Sequence, residues 1–223
     1  MDERYLRNLP ALSGEECALL RRKRVAVIGC GGLGGHLIDQ LARIGIGAIR
    51  AVDGDVFELT NLNRQLLSEV PLLGVSKAKA AADRIARVNP DVHTEAVEAF
   101  LTEANADRLV AGCDAVLDGL DNIPSRKILA AACARAGIPY IYGAIQGWVA
   151  QAAISLPGDR LIETLYPEDL ILSDKSALSF TPALCAAMQI SLCVRLLVGR
   201  PVESGTIYYF DLLHQEFETI AMV

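Results

Sequence analysis

The sequence lacks several of the signatures by which whole classes of protein are identified. No pair of its six cysteines is spaced C-x-x-C, which argues against a zinc site and against a dithiol redox motif. Its 27 acidic and 21 basic residues give a net charge of −6, whereas a nucleic-acid-binding body is normally basic. We therefore expect the cysteines to be buried apolar side chains in a reducing compartment, and we do not expect nucleic acid as a partner.

Long apolar runs are missing as well. The most apolar stretch with a helical pattern, residues 183–199, is interrupted by Gln189 and Arg195, so no membrane span is expected. The first ten residues, MDERYLRNLP, are charged and contain no apolar signal core, which favours a cytoplasmic protein.

Short apolar runs alternate with helical patterns over the first two thirds of the chain. Runs of strand length occupy residues 24–29, 48–53, 92–97, 114–120 and 138–145. Helical patterns occupy residues 33–44, 76–88 and 124–137. Continuous apolar runs are typical of parallel strands that are covered on both faces. The alternation predicts an α/β fold with a doubly wound, Rossmann-like and mostly parallel sheet.

The pattern changes after residue 145. We expect a strand at 148–156, a loop at 157–181, a buried helix at 182–199 and two closing strands at 205–223. These last strands would extend the sheet in antiparallel fashion. No repeat, low-complexity tract or linker divides the 223 residues, so we expect a single domain. Its expected parts are an N-terminal helical arm (1–22), a core (23–151) and a C-terminal part with the loop, buried helix and closing strands (152–223).

A glycine-rich loop, GCGGLG at residues 29–34, joins the first strand to the first core helix. Gly29 permits a tight turn, Gly31 lets the backbone approach a phosphate, and Gly34 lets the helix pack closely. The helix start offers free N–H groups to an anion. Asp53 ends the second strand, where its carboxylate can accept hydrogen bonds from ribose hydroxyls. The pattern indicates a nucleotide site, but NAD and ATP both satisfy it.

The residues after the glycine loop add charge of both signs. Because the loop already serves the two phosphates of a dinucleotide, Arg64 and Lys77 favour a ligand with more negative charge, such as a triphosphate. Lys77 taken alone could equally be a solvated helix residue. The fourth strand ends in LDGLDN, which places Asp118 and Asp121 at the ligand edge of the sheet. A carboxylate beside polyphosphate requires a cation between them, and Mg²⁺ binds through one or two carboxylates plus phosphate oxygens.

Several short motifs follow one another in a characteristic order. They are RYLR (4–7), GCGGLG (29–34), VDGD (52–55), NLNRQ (61–65), GVSK (74–77), NP (89–90), LDGLDN (117–122) and YGAIQGWVAQ (142–151). In this set the chain resembles the MoeB/ThiF/HesA family, the bacterial relatives of ubiquitin-activating enzymes. Each motif alone is weak, whereas the ordered set is highly specific. The stretch GTIYYFD (205–211) also resembles the family's final strands.

The resemblance implies an enzyme that uses Mg²⁺ and ATP to adenylate the C-terminal glycine carboxylate of a small ubiquitin-like sulfur-carrier protein ending in Gly-Gly. It implies catalytic roles for Arg7, Arg64, Lys77 and Asp121, with Asp121 holding the magnesium. Asn61 would contact the phosphates together with Arg64 and Lys77, and Arg7 would reach across a homodimer interface as an arginine finger. The full set implied in nucleotide binding is Gly29, Gly31, Gly32, Gly34, Asp53, Asp55, Asn61, Arg64, Gln65, Lys77 and Asn122.

The chain also departs from the family pattern. Many relatives carry two C-x-x-C pairs for a structural zinc, and this sequence has none. Some relatives have a reactive cysteine in the crossover loop, but residues 157–181 contain no cysteine, and Cys185 lies at the start of a predicted core helix. We therefore expect adenylation without a covalent thioester step on this chain. The histidines at positions 36, 93 and 214 are interpreted as structural or surface residues.

Three alternatives remain open at this point. A relative that resembles the tRNA threonylcarbamoyladenosine dehydratases would share the glycine loop and the NRQ element, although the acidic charge disfavours an RNA substrate. An NAD-dependent oxidoreductase would explain the stretch from Gly29 to Asp53 but would leave Arg64, Lys77 and Asp121 without a role. A non-catalytic scaffold is disfavoured because the nucleotide and metal positions retain suitable chemistry.

Overall fold

The computed structural model describes residues 3–167 and 176–222. The strands are β1 (Arg24–Ile28), β2 (Ala48–Val52), β3 (His93–Val97), β4 (Ala115–Asp118), β5 (Tyr140–Gln146), β6 (Val149–Ser155), β7 (Thr206–Asp211) and β8 (Glu216–Ala221). The α-helices are α1 (Gly14–Leu20), α2 (Gly32–Ile44), α3 (Lys77–Val88), α4 (Glu103–Val110), α5 (Ile123–Ala136), α6 (Leu161–Leu165) and α7 (Phe180–Leu197). Short 3-10 helices span Glu3–Asn8, Leu59–Asn61 and Val70–Leu72.

The strands of the described residues form one sheet in the order β3-β2-β1-β4-β5-β6-β7-β8. The first five strands in this order run parallel, and the pairs from β5 to β8 are antiparallel. The predicted doubly wound, Rossmann-like sheet with an antiparallel C-terminal extension is confirmed. In the central register, Ile28 lies opposite both Val52 and Asp118, so β1, β2 and β4 end at the same edge.

Helices cover both faces of the sheet, which explains why the central strands are apolar throughout. Side chains of α1, α2, α3 and α7 belong to one hydrophobic cluster, with Leu37 and Ile85 as buried examples. Side chains of α4, α5 and α6 belong to the other, which includes Leu109 and Leu129. Burial of apolar surface on this scale is the main force that holds such a layered fold together.

The helix ends follow local rules that are readable in the sequence. At α1 the Ser13 hydroxyl accepts the Glu16 N–H at 3.1 Å, and the Glu16 carboxylate accepts the Ser13 N–H at 2.7 Å, which is the predicted capping box. Helix α2 ends at Gly45 and α5 at Gly137, with φ of 91° and 66°. Glycine enters this left-handed region without the steric cost that a Cβ would bring.

The C-terminal third follows the prediction with one difference. Strand β6, helix α7 and strands β7 and β8 occur where they were expected. The segment predicted as a loop at 157–181 contains a short helix, α6, whose Leu161 and Ile162 are buried beneath the sheet. Residues 168–175 of this predicted loop lie outside the described residues. Local periodicity could not identify a helix of five residues because one turn carries too little pattern.

Helix α7 is the buried helix that the sequence predicted at the end of this loop. By length and composition alone it could cross a membrane, although no span was predicted there. More than half of it is buried, and it packs against β5, β6 and α2. Core packing therefore accounts for its apolar composition.

Candidate nucleotide-binding site

A cavity of about 550 Å³ lies at the carboxyl ends of β1 and β4, where the strand order reverses. Such a reversal point leaves a crevice between loops that diverge to opposite faces of the sheet, and open α/β folds bind ligands there. The predicted site residues that line the cavity are Gly29, Gly31, Gly32, Asp53, Asp55, Arg64, Gln65, Lys77, Asp121 and Asn122. Gly29 and Asn122 are 93 positions apart in the sequence. They meet at one site because β1 and β4 are neighbours that end at the same edge of the sheet.

Three predicted site residues are not among the described residues that line the cavity. Arg7 is an exposed residue of the 3-10 helix Glu3–Asn8. Asn61 is buried, and its Oδ1 accepts the Glu58 N–H at 3.0 Å, so it shapes the loop that carries Arg64. Gly34 lies against the glycine loop itself, since a Cβ at this position would come within 1.7 Å of the Gly29 carbonyl oxygen. The structure therefore gives Gly34 and Asn61 supporting positions rather than places in the cavity wall.

The glycine loop brings the start of α2 into the cavity wall. Gly29 has φ of 95°, and a Cβ there would meet the Gly119 carbonyl oxygen at 2.5 Å, so only glycine fits. Among residues 3–167 and 176–222, no side chain caps the N-terminus of α2 at Gly31. The first N–H groups of a helix carry a partial positive charge and need acceptors. An anionic ligand in the cavity would supply them.

The Asp53 carboxylate ties the end of β2 to the glycine loop. Its Oδ2 accepts the Cys30 N–H at 2.7 Å, and its Oδ1 accepts the Asp55 N–H at 2.8 Å. Each carboxylate oxygen still has a second lone pair, because an ionised carboxylate offers about four acceptor sites. Asp53 can therefore hold the loop and accept a hydroxyl at the same time.

Lys77 and Asp55 form an ion pair in the cavity wall. Lys77 is only 7% exposed, and its Nζ lies 3.3 Å from Oδ2 of Asp55. Lys79, two residues further along α3, is exposed. The structure thus rules out the interpretation of Lys77 as a solvated helix residue.

Arg64 and Gln65 present a cation and an amide to the same cavity. Arg64 is held by two hydrogen bonds from Nη1, to Asn63 Oδ1 at 2.8 Å and to the Thr60 carbonyl at 3.0 Å. Gln65 is 7% exposed, and its Oε1 has no hydrogen-bond partner within the described parts of the chain. A buried amide oxygen without a partner is costly, so a ligand that donates a hydrogen bond would be favoured here.

The two aspartates of LDGLDN have different surroundings. Asp118 is fully buried and pairs with Arg126 at 2.6 Å, so it does not face the cavity. Asp121 is exposed at the cavity, where its Oδ1 accepts from the Asn122 amide at 3.2 Å. Within residues 3–167 and 176–222, no group of three or more His, Cys, Asp or Glu side chains could hold a metal ion. A cation here would rely on Asp121 and on the ligand's own oxygens.

Sequence reasoning missed a set of buried polar residues behind the cavity. Tyr142 donates to Oε1 of Gln151 at 3.3 Å and lies 2.5 Å from the Tyr166 hydroxyl. Burial raises the pKa of Tyr142 well above its ordinary value, so this phenol stays protonated. Gln151 and Tyr166 both line the cavity. The motif YGAIQGWVAQ contains Tyr142 and Gln151, but no motif in the sequence pointed to Tyr166.

All six cysteines are free and buried. Burial raises the pKa of Cys185 to about 12, and its thiol donates to the Gln151 carbonyl at 3.1 Å. Since the thiolate is the nucleophilic form, Cys185 is poorly suited to attack at neutral pH. None of the three histidines is among the described residues that line the cavity.

The model of the ThiF family matches residues 4–222. The chain is 33% identical to the SAMP-activating enzyme E1 of Haloferax volcanii, over 98% of this chain and 84% of that protein. It is 29% identical to the sulfur carrier protein adenylyltransferase of Thermus thermophilus, over 99% and 87%. It is also 29% identical to the probable molybdopterin-synthase adenylyltransferase of Porphyra purpurea, but it spans only 59% of that protein.

Solved structures share the same architecture. A crystal structure of Escherichia coli MccB with ATP matches all of this chain and 72% of that one, with a TM-score of 0.84 and 20% identity. A crystal structure of PaaA matches 93% of this chain and 66% of that one, with a TM-score of 0.79 and 24% identity. At this level of identity the likeness establishes the fold alone.

Proposed function

The chain belongs to the ThiF family, and from that premise we propose that it is an ATP-dependent adenylyltransferase. Its substrate would be the C-terminal glycine carboxylate of a small ubiquitin-like sulfur-carrier protein. One observation carries the proposal: Arg64, Lys77 and Asp121 meet the helix start of the glycine loop in a single cavity. A dinucleotide would leave these charges unused, whereas a triphosphate with a divalent cation uses all of them.

The proposed reaction needs positioning and charge stabilisation rather than proton transfer. A carboxylate oxygen of the carrier attacks the α-phosphorus of ATP, the bond to the oxygen bridging to the β-phosphate breaks, and pyrophosphate leaves. The product is an acyl-adenylate. Because the carboxylate is already ionised at neutral pH, no general base is required. Catalysis then depends on fixed cations and on donors directed at the phosphoryl oxygens.

The cavity residues support distinct roles in this reaction. The N–H groups at the start of α2 would bind phosphate, and Asp53 would accept from the ribose hydroxyls. The planar fork of Arg64 suits bidentate contact with phosphate, while Lys77 supplies a compact charge. The unpartnered Oε1 of Gln65 would accept a hydrogen bond from the nucleotide.

The donor set at Asp121 fits Mg²⁺ held jointly with the nucleotide. Asp121 presents an exposed carboxylate to the cavity, and oxygen ligands are those that Mg²⁺ prefers. Asn122, which caps α5 through the Ser125 N–H at 2.9 Å, also donates to Asp121 and orients its carboxylate. When bound, the ion would neutralise negative charge on the phosphate oxygens.

We further infer a homodimer in which Arg7 acts in the partner's cavity. Arg7 is an exposed cation on a terminal 3-10 helix and is not part of the cavity wall in the described chain. A cytoplasmic location and a single adenylation domain remain predictions from the sequence. Mixing two inactive variants, Arg7→Ala and Arg64→Ala, tests the dimer, because mixed dimers would contain one intact site. If mixing restores no activity while subunit exchange is demonstrated, Arg7 does not act in trans.

ATP–pyrophosphate exchange tests the proposed activity. A ubiquitin-like protein ending in Gly-Gly should stimulate exchange, while tRNA should not. Arg64→Ala and Asp121→Ala should each lower the rate by about a hundredfold or more, since single groups that stabilise transition-state charge have effects of this size. Arg87→Ala, which changes an exposed arginine of α3, is the matched control.

Two outcomes would contradict the assignment. Activity that survives both Arg64→Ala and Asp121→Ala would refute the site. Stabilisation by NADH in place of Mg·ATP would favour the oxidoreductase alternative. A ligand at a hundred times its dissociation constant stabilises the fold by about 2.7 kcal/mol, so a shift in Tm separates the two nucleotides.

A further inference from the structure

A buried guanidinium binds the residue that precedes Asp121. Arg126, on the first turns of α5, is 5% exposed and lines the floor of the cavity. Its Nη1 donates to Oδ2 of Asp118 at 2.6 Å and to the Gly143 carbonyl at 2.6 Å. Its Nη2 donates to the Leu120 carbonyl at 2.6 Å. One side chain thus connects the end of β4, the loop that follows it, and β5.

The Asp118–Arg126 pair holds Leu120 from both sides. Oδ1 of Asp118 accepts the Leu120 N–H at 2.8 Å, while Arg126 donates to the Leu120 carbonyl. Tyr140 donates its hydroxyl to the same Asp118 oxygen that pairs with Arg126. With both of its backbone polar groups bound to a buried ion pair, Leu120 has little freedom to move, and Asp121 is the next residue.

The same loop is fitted against the glycine loop. A Cβ at Gly119 would lie 2.5 Å from the Gly29 carbonyl oxygen, and a Cβ at Gly29 would lie 2.5 Å from the Gly119 carbonyl oxygen. The two backbones are therefore in direct contact. Because Arg126 fixes the residue after Gly119, it fixes the place of Asp121 relative to the α2 helix start.

We propose that Arg126 is a positioning residue that holds the Asp121 carboxylate where it meets a divalent cation bound with ATP. The proposal rests on the proposed function. Three of the five N–H donors of Arg126 already bind protein acceptors at 2.6 Å, and we therefore assign it a positioning role rather than direct contact with the nucleotide. Groups that orient a metal ligand in this way affect metal affinity by about 10–100-fold when they are changed.

The test measures binding of a non-hydrolysable ATP analogue by calorimetry, with Mg²⁺ and with EDTA. We define the metal-dependent gain as the affinity for the analogue in Mg²⁺ divided by its affinity in EDTA. A residue with a merely structural role would change both affinities alike and would leave this ratio unchanged. Arg126→Lys keeps the charge but cannot reach three acceptors at once. Asp121→Asn is the positive control. Arg135→Lys, an exposed arginine of the same helix that pairs with Asp107, is the matched negative control.

We expect Arg126→Lys and Asp121→Asn each to reduce the metal-dependent gain by about tenfold or more, with affinity in EDTA unchanged. Arg135→Lys should match the wild type. A folded Arg126→Lys protein with the full gain, or with equal losses in Mg²⁺ and EDTA, would overturn the proposal. If Arg126→Lys does not fold, Tyr140→Phe replaces it in the test, because Tyr140 donates to the same Asp118 oxygen that binds Arg126. A reduced metal-dependent gain in Tyr140→Phe supports the proposal. A full gain overturns it.

Failure of the proposed function would look different. A wild-type protein that binds no ATP analogue under either condition would refute the nucleotide site as a whole. In a second outcome, the wild type shows the metal-dependent gain, Asp121→Asn abolishes it and Arg126→Lys preserves it. That result would support the nucleotide site and refute only the role of Arg126.

Discussion

The Lys77 ammonium lies 3.3 Å from the Asp55 carboxylate, at the first residue of α3 and in the wall of the cavity. The start of a helix is the positive end of its dipole, so a buried lysine there is electrostatically unfavourable by itself. The carboxylate of Asp55 offsets part of that cost by placing an opposite charge beside the ammonium. The ion pair holds the ammonium in the cavity wall, where it would attract a phosphate of the proposed ligand.

Lys77→Ala should weaken ATP binding and lower ATP–pyrophosphate exchange by roughly a hundredfold, because it removes a cation from a partly desolvated site. Lys79→Ala is the control: Lys79 lies in the same helix turn, is exposed and pairs with Glu98 at 3.4 Å. Exchange rates and the Tm shift caused by Mg·ATP would be compared for the two variants. Equal effects of both changes would contradict a specific role for Lys77.

Cys185→Ser should retain both adenylation and transfer of sulfur to the carrier. Burial raises the pKa of this thiol to about 12, so almost none of it is thiolate at neutral pH. The measurements are ATP–pyrophosphate exchange and thiocarboxylate formation with a sulfur donor supplied. A variant that keeps exchange but loses sulfur transfer would show that a covalent step occurs on this chain after all.

Gly34→Ala should destabilise the fold by roughly 3 kcal/mol or more, because the new methyl group would lie 1.7 Å from the Gly29 carbonyl oxygen and backbone atoms would have to move. Gly32→Ala is the matched control, since its Cβ would meet only the Arg64 side chain at 3.7 Å. Urea unfolding of both variants measures the difference. A Gly34→Ala protein as stable as Gly32→Ala would mean that the loop can relax.

The stability contributed by Glu16 should depend on pH. Hydrogen bonds from Arg200 and from the Ser13 N–H lower the pKa of Glu16 from 4.5 to about 2. A carboxylate with a lowered folded-state pKa stabilises the fold above its unfolded pKa, and this contribution is lost as pH falls towards the folded value. Wild type should therefore exceed Glu16→Gln in stability near pH 6, and the difference should shrink between about pH 4.5 and pH 2.

Thermal unfolding across this pH range provides the measurement. Glu15→Gln is the control, because this neighbouring glutamate is exposed. A difference between wild type and Glu16→Gln that stays constant down to pH 2 would contradict the linkage to Arg200.

Much of the cavity wall around the glycine loop could be predicted because it is encoded locally. A strand, a glycine-rich turn and a helix start are consecutive in sequence, and Gly29 and Gly31 have requirements that few other residues meet. Arg64 and Lys77, which the sequence predicted for the same crevice, both line the cavity. The sequence could not decide whether Lys77 is solvated or buried, because that depends on Asp55 and on the sheet edge next to it.

The rest of the site was decided by contacts between distant segments. Asp118 and Asp121 are only three residues apart in the sequence. The tertiary structure places Asp118 in a buried ion pair and leaves Asp121 exposed at the cavity. Arg126 and Tyr166 carried no sequence signal, since a helix pattern does not reveal which polar side chain meets a buried carboxylate.

The sequence by itself determined the layered α/β fold and the glycine loop, since periodicity and backbone conformation act over neighbouring residues. The tertiary structure decided which charges are buried, paired or open to a ligand. That outcome depends on desolvation and on distances between side chains far apart in sequence, such as Asp118 and Gly143, which Arg126 joins.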